Sequence, residues 1–137
     1  MFITKSDLNE LTYSIIGAAI EVHRNLGPGL LESVYHTCLK EELNHRKLIF
    51  QSEFSVPIIY NNKMLSTDLR CDLFIENNIV VELKSIEKLL PVHEAQLMTY
   101  MRLLDAPKGI LINFNCMNIF KEGQRTFVNE LYRQLKD

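Results

Sequence analysis

Little in this 137-residue sequence is in excess. It has no cysteine framework: Cys38, Cys71 and Cys116 are odd in number, far apart and in no C-x-x-C spacing. That argues against a disulfide set or a zinc site, and it fits a reducing compartment. No sign of charge dominates either, since 15 Lys and Arg against 17 Asp and Glu leave a formal net charge of -2. A nucleic-acid partner would therefore need a local basic patch, because phosphate affinity comes from cations placed against the backbone. The basic residues Arg24, Arg46, Lys47, Lys63, Arg70, Lys84, Lys88 and Arg102 are scattered. No apolar run approaches the roughly 20 residues of a membrane span. The opening stretch MFITKSDLNELTY lacks the apolar region of a signal peptide. The expectation is a soluble, cytoplasmic protein with no membrane partner. No repeat, linker or low-complexity segment divides the chain, so one domain over residues 1–137 is expected, long enough to bury a core without staples.

What the sequence does have is a change of hydrophobic period. From an N-cap at Ser6, the residues Leu8, Leu11, Ile15, Ala18 or Ala19, Val22 and Leu26 recur at three and four, which predicts an amphipathic helix. Gly27-Pro28-Gly29 should stop it. A second helix is expected from about Leu30 to Lys47, with Leu31, Val34, Tyr35, Cys38, Leu39 and Leu43 as its stripe. Then FQSEFSVPIIYNNKM and LSTDLRCDLFIENN bring β-branched and aromatic residues punctuated by Asn-Asn, predicting two or three antiparallel strands that end in IVVEL. Pro57 suggests an edge or a bulge. PVHEAQLMTYMRLLDAP predicts a helix with Pro91 in its first turn and Leu97, Met101 and Leu104 inward. KGILINFN reads as a buried strand and VNELYRQLKD as a closing helix. Strand, helix and strand from Ile79 to Phe114 imply a right-handed parallel crossover. The fold class is thus mixed α/β: two N-terminal helices, an antiparallel hairpin, then a βαβ unit.

The strand IVVELKS raises a problem, because Glu82 and Lys84 interrupt it where it should stay apolar. Two apart, they share a face. Asp72 lies on the preceding strand, with Cys71, Leu73 and Ile75 on its other face. A three-residue loop, Glu76 to Asn78, pairs Ile75 with Ile79 and puts Asp72 opposite Glu82; a two-residue Asn77-Asn78 turn would separate them. Facing carboxylates repel, and burying them unpaired costs several kcal/mol. A divalent cation is one remedy, with carboxylate oxygens forming a hard site suited to Mg²⁺ or Mn²⁺. A salt bridge from Lys84 or Arg70 is another, and for Glu-x-Lys alone it is the commoner one.

The surroundings add to this. Asp72, then Glu82-Leu83-Lys84, then a helix with Gln96 and Tyr100 as Q-x-x-x-Y resemble the PD-(D/E)XK nuclease superfamily. Upstream, HRNLGPGLLESVY is similar to the pattern of the GxxExxY protein family, with Gly29, Glu32 and Tyr35 in the named positions. The resemblance runs from about Leu11 to Asn129 and covers four motifs in order. It implies a restriction-endonuclease-like core. It makes Asp72, Glu82 and the Leu83 carbonyl metal ligands, with Glu32 approaching the metal directly or through water. Lys84 would orient the attacking water, and Gln96 and Tyr100 would support the site or the scissile phosphate. Cys71 stands where the family pattern has Pro.

Each residue also has a plainer reading. Glu32 complements a helix N-terminus in any case, and Gln96 and Tyr100 could satisfy each other. His23 suits a structural hydrogen bond, His93 a solvent-exposed position, and Tyr35 packing. The resemblance implies a metal-dependent nuclease acting on nucleic acid, DNA first. The alternatives are a nucleic-acid or protein interaction module that keeps the fold, and an enzyme for another phosphorylated substrate. A homodimer is one way to supply the binding surface that a small, mildly acidic domain lacks.

Overall fold

The computed structural model describes residues 3–137; Met1 and Phe2, with which the expected domain begins, lie outside them. Helix α1 spans Lys5–Leu26 and α2 spans Glu32–His45. Strands β1 (Phe50–Ser55), β2 (Ile58–Tyr60), β3 (Lys63–Leu65), β4 (Arg70–Ile75) and β5 (Ile79–Lys84) follow. Then come α3 (Pro91–Leu103), β6 (Lys108–Asn113), a π-helical turn (Ile119–Gly123), β7 (Gln124–Val128) and α4 (Glu130–Arg133). The main sheet has the order β1-β4-β5-β6-β7, while β2 and β3 form a separate hairpin. Among the described residues only β5 and β6 run parallel, joined by α3 as the sequence predicts.

The sheet carries a core on each face. Leu8, Ile15, Tyr35, Leu39 and Leu43 of α1 and α2 pack on Leu73, Ile75, Val81 and Leu83. On the other face Leu97, Tyr100 and Met101 of α3 pack on Phe74, Val80 and Leu111. Central strands covered on both faces have no polar side, which is why IVV and GILI read as continuous apolar runs. Gly109 lets α3 settle close: a Cβ there would lie 2.6 Å from the Met101 sulfur. That approach brings the Gln96–Tyr100 face of α3 toward β5.

Several expectations need correction. The cap of α1 is Thr4, not Ser6, because Asp7 completes a reciprocal box with it: the Asp7 N–H donates to Thr4 Oγ1 and the Thr4 N–H to Asp7 Oδ2. Helix α2 begins at Glu32, two residues after Leu30, because Tyr35 folds back on the preceding turn. Its hydroxyl donates to the Gly27 carbonyl at 2.6 Å and accepts from the Leu30 N–H. Leu31 and Val34 accordingly lie at the surface. The closing helix from Val128 shrinks to the single turn α4, capped by Asn129. Val128 itself ends β7, an edge strand whose exposed polar residues hide it from a hydrophobic pattern. Cys71 does not share a face with Leu73 and Ile75. It joins the α3-side core: the β1–β4 ladder is interrupted between the Ser52–Leu73 and Phe54–Cys71 pairs, where Glu53 takes a left-handed backbone at φ 50°.

Candidate metal centre

The loop Glu76 to Asn78 sets the geometry. Glu76 and Asn77 both adopt left-handed conformations, at φ 51° and 56°, and the Asn78 N–H closes the turn on the Ile75 carbonyl at 3.0 Å. Asn and its neighbours tolerate such turns better than β-branched residues do. The ladder is Ile75↔Ile79, Phe74↔Val80 and Leu73↔Val81, the register that the three-residue loop predicts. One step further, Asp72 and Glu82 face each other and side chains replace the ladder. Glu82 Oε2 accepts the Asp72 N–H at 2.6 Å, and Asp72 Oδ2 accepts the Leu83 N–H at 2.7 Å.

Each carboxylate thus has one oxygen satisfied by the opposite strand, and the two groups remain against each other, Glu82 buried and Asp72 half-buried. Glu82 is only 4% exposed. Burial first, and then the Asp72 charge, push its carboxyl up to about 8, with backbone hydrogen bonding and Lys84 pulling the other way. Glu32, at the first turn of α2, is raised by partial burial and then by Asp72, and lowered by Lys84 and His36. Glu32 and Asp72 line one cleft, and Glu82 is joined to Asp72 across the two strands. Tyr100 joins from α3: burial and then Glu82 raise its phenol, and Gln96 Nε2 donates to its oxygen at 3.0 Å. Cys71, behind the pair, is pushed to about 12 by burial and then by the Glu82 and Asp72 charges, so it is no nucleophile at neutral pH.

Two further residues belong to this place that the sequence pattern did not reveal. A cleft of about 280 Å³ is lined by Glu32, Ser33, His36, Glu53 and Asp72. His36 follows Glu32 by one helical turn and its Nε2 meets Ser52 Oγ at 3.1 Å, tying α2 to β1. The i, i+4 spacing from Glu32 was a signal for His36; nothing local marks Glu53. His23 and His93 are structural. His23 Nε2 lies 2.8 Å from the Cys116 carbonyl, and His93 Nδ1 accepts the Leu90 N–H at the start of α3, where it is partly covered rather than solvent-exposed. A larger groove, about 580 Å³, lies elsewhere, over Lys5, Asn9, Tyr13 and Tyr132. Chemistry, not volume, selects the smaller cleft.

The donor set fits a hard divalent cation. Among the described residues no three His, Cys, Asp or Glu side chains converge into a complete cage. Mg²⁺ does not require one, since it keeps several waters and takes one or two carboxylates. Two carboxylates forced together at a strand end supply that pair, and a cation there would relieve their repulsion.

No curated protein and no solved structure matches the chain. A sequence profile of the PD-(D/E)XK nuclease superfamily matches residues 9–126, which takes in Glu32, Asp72, Glu82, Lys84, Gln96 and Tyr100. On that match the chain belongs to the PD-(D/E)XK nuclease superfamily.

Proposed function

We propose that the protein is a metal-dependent nuclease of the GxxExxY branch, hydrolysing phosphodiester bonds of DNA. The observation that carries this reading is the Asp72–Glu82 pair, two carboxylates from different strands held face to face by reciprocal hydrogen bonds. Proteins do not bury like charges together without something to offset them. Asp72, Glu82 and the Leu83 carbonyl would hold Mg²⁺ or Mn²⁺, with Glu32 reaching it directly or through water. Such an ion supplies Lewis-acid polarisation of the phosphate and acidifies water.

The chain's own residues do the rest. Lys84 has no ion pair within 4 Å among the described residues, so its ammonium is free to orient water or to meet a phosphate oxygen. Tyr100, oriented by Gln96, stands on the α3 side of Glu82, where a hydroxyl can hold the carboxylate or the phosphate. A second copy of the chain would enlarge the surface available to a duplex.

A thermal-shift titration with Mn²⁺ tests the metal site. A ligand that binds only the folded state must raise its stability. Wild type should be stabilised and Asp72→Ala should not. No shift at millimolar Mn²⁺ would leave the interaction-module reading in its place.

A further inference from the structure

Among the described residues the Lys84 ammonium has no hydrogen-bond or ion-pair partner, so its direction depends on how its backbone is held. That backbone is held from two sides immediately after Lys84. Ser85 Oγ donates to the Leu30 carbonyl at 2.5 Å, next to the first turn of α2. On the other side is Asn113, the last residue of β6, directly across the parallel ladder from Lys84.

Asn113 is buried, 6% exposed, at the end of a strand whose other residues are also buried. Its side-chain amide reads both hydrogen-bonding groups of one peptide residue. Oδ1 accepts the Ile86 N–H at 3.1 Å, and Nδ2 donates to the Ile86 carbonyl at 2.9 Å. The Asn115 N–H also donates to that Oδ1, and Asn115 Nδ2 adds a second donor to the Ile86 carbonyl at 3.2 Å. The Phe114 N–H donates to the Lys84 carbonyl at 2.9 Å. The amide therefore acts as a peptide surrogate, continuing the β5–β6 pairing past the point where the two strands diverge toward α3 and residue 114.

We propose that Asn113 is a positioning residue for Lys84: by clamping Ile86 it fixes the backbone two residues past Lys84 and so aims the ammonium toward the Asp72–Glu82 pair. The clamp lies on the opposite side of β5 from β4, so the two central carboxylates and Lys84 are placed by different neighbours. The inference rests on reading Lys84 as the water-orienting residue, and its test has one arm that needs no cleavage.

Lysines are reductively methylated with ¹³C, and the Lys84 signal is identified by its loss in Lys84→Arg. In wild type this signal should stand apart from the surface lysines and move when Asp72→Asn removes a cleft charge. In Asn113→Ala it should merge with the surface signals and lose that response. A Lys84 signal that stays apart and responds in folded Asn113→Ala overturns the proposal. Should Asn113→Ala not fold, Asn113→Ser, which adds no charge and is too short to hold both groups of Ile86, is read the same way. In the second arm, turnover per folded molecule should fall about tenfold or more, with KM and Mn²⁺ stabilisation unchanged, as small misplacements of a reacting group do. Unchanged turnover overturns the proposal. A wild type without metal-dependent cleavage overturns the nuclease reading instead and leaves the first arm decisive.

Discussion

Two ionisable residues are buried to nearly the same degree at opposite ends of adjacent parallel strands: Glu82 at the end of β5, 4% exposed, and Lys108 at the start of β6, 5% exposed. Their surroundings differ completely. The Lys108 ammonium donates to Asn9 Oδ1 at 2.9 Å and sits 5.4 Å from the Tyr132 ring centroid. Burial lowers its affinity for the proton, but amide and aromatic ring receive the charge. Glu82 instead meets a second carboxylate, Asp72, and its proton affinity rises. Burial of charge is therefore not in itself a sign of function. A buried charge set against its own kind is, because folding alone gains nothing from that arrangement.

The sharpest way to break this contrast is to remove either carboxylate. Asp72→Ala and Glu82→Ala should each lower metal-dependent cleavage by about a thousandfold or more, the scale of several kcal/mol of lost transition-state stabilisation. Gel assays of both variants check this, and retained cleavage by both would sink the assignment.

The next effect concerns pH. The Glu82 carboxyl is raised from 4.5 to about 8 in the folded protein. Between those values the folded state holds a proton that the unfolded state has released. Metal-free stability contributed by this group is thus present below 4.5 and lost as pH rises through about 8. Metal binding must displace the same proton, so the Mn²⁺-induced rise in Tm should grow over that interval. A metal-free Tm that is flat across it, measured by calorimetry, contradicts the frustrated pair. Asp72→Asn should flatten the dependence and raise the metal-free Tm at neutral pH, since it removes the charge that opposes Glu82.

The smallest effect belongs to the other strand. Lys108→Met should leave cleavage within about twofold and change stability by no more than about 1 kcal/mol, because the gain from ending desolvation offsets the lost hydrogen bond. A large loss of activity would show that the two ends of the sheet are not independent.

Much of the site was legible because it follows a strand's period of two. Glu82 and Lys84 share a face by spacing alone, and the odd loop of Glu76 to Asn78 puts Asp72 across from Glu82. Gln96 and Tyr100, one turn apart on α3, do meet. The residues that escaped were those whose placement depends on long-range geometry. Asn113 looked like the ordinary polar end of a buried strand until Ile86, 27 residues upstream, was found in its grip. Glu53 lines the cleft from a left-handed position at a break in the β1–β4 ladder, and Cys71, just past that break, lies in the other core.

The sequence by itself determined the mixed α/β class and the βαβ crossover, which rest on local periodicity, and it reduced the facing of Asp72 and Glu82 to the parity of one loop. The tertiary structure alone decided that β7 closes the sheet, that α2 starts at Glu32 under the Tyr35 hydroxyl, and that Lys108 is buried with a partner while Glu82 is buried against a rival. An edge strand carries no apolar stripe, and a buried charge takes its meaning from neighbours that are distant in sequence.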